Sequence, residues 1–273
     1  MKLRTRVVLA ATAAATALAA SAGPALAWAP AGSAPIHPGV QTNTEGSGQC
    51  TANFIFEDGS GTYIGQAAHC SSTGEATETD GCTSDSLPLG TRVEIEGATR
   101  PGVLAYNSWL AMQEAGETDP DTCAYNDFAL VEIDPADVDL VNPSVPFWGG
   151  PVGLNTSGTS TGGKVLSYGN SSLRGGITQL SPKEGFSLGT SANGWTHSVY
   201  TLTPGIPGDS GSAFLDGQGR ALGVLSTLAL APLALSNGVG DLAHEIAWAN
   251  DEGGQSIRLV NGTEPFRGPL LPI

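Results

Sequence analysis

Three short stretches of the chain hold residues whose types could cooperate in acyl transfer. His69 lies in Gly65-Gln66-Ala67-Ala68-His69-Cys70, Asp127 in Asn126-Asp127-Phe128-Ala129-Leu130-Val131, and Ser210 in Pro207-Gly208-Asp209-Ser210-Gly211. A serine nucleophile needs a base to take its proton, an acid to fix the tautomer of that base, and N–H donors for the developing oxyanion. Taken singly, each residue has a plainer reading: a loop histidine beside a cysteine, an aspartate opening a strand, a serine in a glycine-rich turn. Asp127 stands apart from Asp119, Asp121 and Asp134, which sit in ordinary turn contexts, because it enters a strongly apolar run. A carboxylate there is costly unless charge or donors meet it. Gly208 frees the backbone to present its N–H beside that of Ser210, the pair of donors an oxyanion requires.

Such a set must be carried by elements that hold it still. Glycine (38) and proline (18) are abundant and charged residues make up only 14% of the chain, which favours short strands and tight turns over long helices. Candidate strands are 53–56 and 62–64, forming a hairpin around Glu57-Asp58-Gly59-Ser60-Gly61, then 92–96, 102–106, 128–133, 164–168, 176–180, 198–202, 212–215 and 221–225. His69 and Asp127 fall at strand edges, and Ser210 just precedes one. A single helix is expected late in the chain, where Asp241 can cap Leu242-Ala243-His244-Glu245-Ile246-Ala247-Trp248-Ala249. Residues 142–163, rich in proline and glycine, read as a linker between two halves.

The first 27 residues have a basic start (Lys2, Arg4, Arg6), an apolar alanine-rich stretch and Ala25-Leu26-Ala27 as a small-x-small cleavage site, the pattern of a signal peptide. Residues 28–47 have no period and read as a short leader or flexible arm. No later segment has the uninterrupted apolar length of a membrane anchor. Loss of the signal peptide leaves eight basic against 26 acidic residues, a formal charge near −18. Such a surface repels phosphate backbones and anionic lipid, which argues against nucleic acid and membranes as partners. A secreted, extracellular, monomeric protein is expected. Its four cysteines permit three disulfide pairings, of which Cys50–Cys70 with Cys82–Cys123 is the expectation. No Cys-x-x-Cys or His-x-x-x-His spacing supports zinc, and neither a metal nor a cofactor is expected.

Together, Ala-Ala-His69-Cys, Asn-Asp127-Phe-Ala-Leu and Gly-Asp-Ser210-Gly, in that order, resemble the motifs of the chymotrypsin-like serine peptidases, especially their secreted bacterial branch. The resemblance spans roughly residues 50–250. It implies an all-β fold of two six-stranded antiparallel barrels with a short C-terminal helix: an N-terminal barrel over 48–145, a C-terminal barrel and helix over 146–250, and a tail over 251–273. It implies His69 as general base, Asp127 as its orienting carboxylate, Ser210 as nucleophile, and the N–H groups of Gly208 and Ser210 as the oxyanion hole. Ser226 would begin the strand that binds substrate backbone and would support Asp127. Pro204 and Leu228 occupy positions that line the side-chain pocket, and neither is the acid that a lysine or arginine would need. The expected function is therefore a secreted serine endopeptidase of non-tryptic specificity acting on proteins or peptides. The alternative is a non-catalytic secreted binding protein on the same fold. The free Ile-Val-type N-terminus that activates many relatives is missing from the sequence, so Asp209 needs another partner, with Arg174 as a candidate.

Overall fold

A computed structural model describes residues 28–74, 79–229 and 234–270. The expected signal peptide lies outside the described residues. The first half carries strands β1 (Gln41–Thr44), β2 (Gln49–Thr51), β3 (Ile55–Glu57), β4 (Thr62–Gln66), β5 (Arg92–Ile95), β6 (Gly102–Asn107) and β7 (Ala129–Glu132). The second carries β8 (Lys164–Tyr168), β9 (Pro182–Ser191), β10 (Thr196–Leu202), β11 (Ala213–Asp216), β12 (Ala221–Ala229) and β13 (Ser236–Asp241), with β14 (Arg258–Leu259) near the chain end. Helices are α1 (Ser108–Ala115), α2 (Pro120–Tyr125) and α3 (Leu242–Asp251).

Strands β8 to β13 close into a six-stranded barrel in the order β10-β13-β12-β11-β8-β9, as expected for the second half. The first half differs: it is an eight-stranded sheet in the order β14-β3-β4-β7-β6-β5-β1-β2, not a closed six-stranded barrel. The two edges that closure would have to join are occupied. β14 pairs with β3 through Arg258↔Glu57 and Leu259↔Phe56. Past β2's outer edge, the Thr51 N–H donates to the Ser210 carbonyl at 2.8 Å, so that edge meets the serine loop of the second half. Unpaired edge groups are costly when buried, and each edge has found a partner other than its opposite.

The same sheet ties down both ends of the described chain, through β1 on β5 and β2 and through β14 on β3. Residues 28–47, read as a leader or flexible arm, contain β1 and bury Ile36 and Val40. The tail buries Ile257 and Val260 beside β14. Apolar residues spaced singly among prolines and glycines give no period to the sequence, yet each fills a place in the core.

The core of the first half is built from β-branched and aromatic residues of β3, β4 and β7, with Phe56 edge-on to Phe128 at 5.3 Å between ring centroids. Two helices were not anticipated. α1 is capped by the Asn107 side chain, which accepts from the Trp109 and Leu110 N–H groups, and ends at Gly116 in the left-handed conformation. α2 is capped by Asp119 with Pro120 in its first turn. Asp241 caps α3 as expected. The strand expected over 176–180 is instead a 3-10 turn, Thr178–Leu180, and the true strand β9 begins just after it. β9 opens with a proline and contains Gly185, where a Cβ would lie 1.9 Å from the Tyr200 carbonyl oxygen, so close packing of β9 on β10 demands a residue with low strand propensity. Both expected disulfides are present, with Cα–Cα distances of 6.1 Å for Cys50–Cys70 and 5.1 Å for Cys82–Cys123.

Candidate active site

The seam between the two halves brings together His69, Asp127, Ser210, Gly208, Ser226 and Leu228. His69 sits in a short 3-10 turn, Ala68–Ser71, directly after β4, and the neighbouring Cys70 fixes that turn to β2 through Cys50. Asp127 follows α2 and precedes β7, with 3% of its surface exposed. Its Oδ2 lies 2.7 Å from His69 Nδ1, and its Oδ1 accepts the His69 backbone N–H at 2.9 Å. Ser226 Oγ donates to the same Oδ2 at 2.6 Å. The carboxylate thus holds both the ring and the main chain of His69, which fixes the ring's orientation and leaves Nε2 without a partner among the described residues.

The electrostatics follow from that cage. Burial alone would raise the Asp127 carboxyl, but the His69 charge and the hydrogen bonds from His69 and Ser226 hold it below the ordinary carboxylate value. Burial alone would lower the His69 imidazole, and the adjacent carboxylate outweighs it, so the ring is more basic than an ordinary histidine. About 23% of the His69 side chain remains exposed, on the side of a cavity of about 590 Å³.

Ser210, Gly208 and His69 line this cavity together. The loop carrying the serine is a tight turn in which Asp209 N–H donates to Ile206 O at 2.8 Å and Ser212 N–H to Asp209 O at 3.1 Å. Gly208 takes φ +92°, a region a Cβ disfavours, and a Cβ there would also meet Gln49 Oε1 at 2.6 Å. The Gly208 carbonyl is fully engaged, accepting from Gln49 Nε2 and Thr51 Oγ1, each at 2.8 Å. The N–H groups of Gly208 and Ser210, by contrast, donate to no other group among the described residues. A buried or half-buried N–H with no partner is rare in a folded protein, and two of them flanking one residue beside a cavity form a ready receptor for an anionic oxygen.

Asp209 is fully buried and anchors the loop from beneath. Arg174 Nη2 lies 2.6 Å from its Oδ2, as the sequence suggested, and Lys183 Nζ lies 3.1 Å from the same oxygen. The Ser171 N–H and the Ile206 N–H complete its shell at 3.0 and 3.2 Å. Lys183 has no exposed surface, and burial, reinforced by the nearby Arg174 charge, lowers its ammonium pKa despite Asp209. In the sequence Lys183 follows a proline at a turn and reads as a surface residue; nothing there signals an interior role.

The other pocket residues divide. Ser226 and Leu228 line the cavity, with Leu228 47% exposed, whereas Pro204 is not among its lining residues and instead offers its carbonyl to Arg174 Nη2 at 2.9 Å. The wall expected from Pro204 is supplied by Gly205 and Ile206. Asn237, on β13 and 1% exposed, ties this wall to the opposite one: Oδ1 accepts from the Gly205 N–H at 2.8 Å while Nδ2 donates to the Thr227 carbonyl at 3.2 Å. Asn237 precedes Gly238, a pairing that reads as a surface turn, so the brace is invisible without the barrel.

No protein-family model matches the chain, and no curated protein matches it in sequence. Solved structures do resemble it. Thermobifida fusca Protease A superposes with a TM-score of 0.52 at 19% identity, covering 83% of this chain and 99% of that one. A Glu endopeptidase solved in complex with MPD superposes with a TM-score of 0.50 at 18% identity, covering 82% of this chain and 93% of that one. The chain therefore has the fold of the chymotrypsin-like serine proteases, with one closed barrel and one larger open sheet.

Proposed function

We propose that the protein is a secreted serine endopeptidase that hydrolyses peptide bonds in protein or peptide substrates through an acyl-enzyme. One observation carries the reading: a histidine clamped at 2.7 Å by a buried carboxylate lines the same cavity as a serine whose own N–H and that of Gly208 are both unspent. In this mechanism Ser210 Oγ attacks the scissile carbonyl carbon as His69 Nε2 takes its proton. The carbonyl oxygen, now an oxyanion, accepts from the Gly208 and Ser210 N–H groups. Asp127 stabilises the imidazolium, which then gives its proton to the leaving amine as the carbon–nitrogen bond breaks. Water, activated by the same imidazole, releases the acyl group by the reverse path. No metal or cofactor takes part.

Specificity follows from the walls. Among the described lining residues there is no Asp, Glu, Lys or Arg, and Ile206, Leu225 and Leu228 offer apolar surface, which supports an uncharged side chain before the scissile bond. Two disulfides and the expected signal peptide support an extracellular location. The alternative of a non-catalytic binding protein asks for a filled pocket, and a cavity of this size reaching His69 and Ser210 speaks against it. Fluorophosphonate labelling tests the proposal: the mature protein is expected to label and Ser210→Ala is not. A folded wild type that takes no label would refute the peptidase reading.

A further inference from the structure

Behind the Asp127 carboxylate lies a second carboxyl group that acyl transfer does not use. Glu245, in the first turn of α3, has no exposed surface. Its Oε1 accepts a long hydrogen bond, 3.4 Å, from the Asp127 backbone N–H. Space for it is made on the facing strand, where a Cβ at Gly240 would lie 2.4 Å from that oxygen. Its other oxygen, Oε2, is buried with no partner among the described residues, as are the Tyr106 hydroxyl on β6 and both amide atoms of Asn126.

The charges facing Glu245 are of one sign. Asp127 and Asp241 act on it, no cation among the described residues touches it, and its third titratable neighbour is Tyr106. When buried carboxyls crowd together they do not all ionise, and the proton goes to the one with least support. Asp127 is met by His69 and Ser226, and Asp241 by His197 at 2.9 Å and His244 at 2.8 Å. Glu245 has one distant N–H. Burial and the two carboxylates together push its pKa well above the ordinary value. An ionised Glu245 would moreover compete with Asp127 for the stabilisation that orders His69.

We propose that Glu245 is a positioning residue for the triad, an uncharged carboxyl packed behind Asp127 that accepts its backbone N–H while keeping a second negative charge away from the His69 pair. The role rests on the peptidase reading, but the charge state does not. Glu245→Gln preserves shape and acceptor and is uncharged; Glu245→Ala removes the acceptor and opens a void.

The experiment titrates the His69 imidazole by NMR in wild type and both variants, and measures kcat and KM on the same samples at a temperature where circular dichroism finds each folded. With an uncharged Glu245, Glu245→Gln leaves the His69 midpoint and kcat where they are in wild type, and Glu245→Ala lowers kcat by about tenfold with KM unchanged, through misplacement of Asp127. Two results overturn the proposal. One is a fall of about one pH unit in the His69 midpoint of Glu245→Gln, the signature of a lost negative charge. The other is a folded Glu245→Ala with wild-type kcat. A wild type that cleaves no peptide bond would defeat the peptidase reading instead, and the NMR comparison would still decide the charge of Glu245.

Discussion

The two halves hold their parts of the site by different means. In the first, His69 and Asp127 stand on a sheet with a large apolar core and both disulfides, and Cys70 binds the turn next to His69 to β2. In the second there is no cysteine, and the serine loop is held by Arg174 and Lys183 converging on buried Asp209 and by Gln49 and Thr51 reaching across from the other half. A covalent clamp and an apolar core tolerate the loss of one contact. A buried ionic clamp does not, because removing the anion leaves two cations without compensation.

Substitutions can break that comparison, beginning with the largest effect. His69→Ala is expected to reduce kcat by roughly a millionfold while the thermal midpoint falls less than in Asp209→Asn, since Asp127 keeps the Ser226 and main-chain hydrogen bonds and the disulfide holds the turn. Stopped-flow or long-incubation assays beside calorimetry would check both. Asp127→Asn should cost about four orders of magnitude in kcat through the wrong imidazole tautomer, and with it lower the acid limb of kcat/KM. Asp209→Asn attacks the other half. It should destabilise the protein by about 3 to 5 kcal/mol in urea unfolding and reduce the fraction of molecules that titrate with an active-site label, a pairing of losses that His69→Ala does not produce. If Asp209→Asn unfolded at the wild-type urea midpoint, the ionic clamp would be unimportant and the contrast between the halves would fail. Replacing Cys82 and Cys123 together by serine should cost about 2 to 4 kcal/mol with kcat retained, because this bridge ties α2 to a loop and not to His69.

The smallest effect sharpens the same contrast through pH. The His69 imidazole is raised and Asp127 lowered. The stability His69 contributes is complete below its ordinary value of 6.5 and is lost as pH rises through the raised folded value. That of Asp127 is present above its ordinary 3.8 and is lost as pH falls through the lowered folded value. The pair therefore stabilises most between those ordinary values, where His69 is protonated and cannot act as base. Activity should instead rise with a kcat/KM midpoint above 6.5. A pH–rate profile with its acid midpoint at or below that of free imidazole would contradict the cage around His69.

Much of this was legible in advance, for reasons that differ from residue to residue. Asp127 betrayed itself by an unfavourable location, a carboxylate at the mouth of an apolar strand, and Ser210 by glycines that only a strained turn needs. The disulfide pairing followed chain order. Arg174 was legible only as a candidate, because Asp209 visibly lacked an activating terminus. Asn237, Lys183 and Glu245 were not legible. Each belongs to a residue type that ordinarily faces water, and each owes its role to groups ten or more residues away in sequence that supply the partners burial demands.

The sequence by itself marked out the candidate residues for the chemistry and the strands next to them, because these depend on local composition and spacing, while it left three cysteine pairings open for the structure to decide. Only the tertiary structure decided that one half closes while the other is kept open by the tail strand and the serine loop, that Gly205 and Ile206 replace Pro204 as a wall, and that a lysine and a glutamate lie inside. Those outcomes depend on which backbone edges and charges meet across the seam, and no local pattern encodes a meeting between distant parts of a chain.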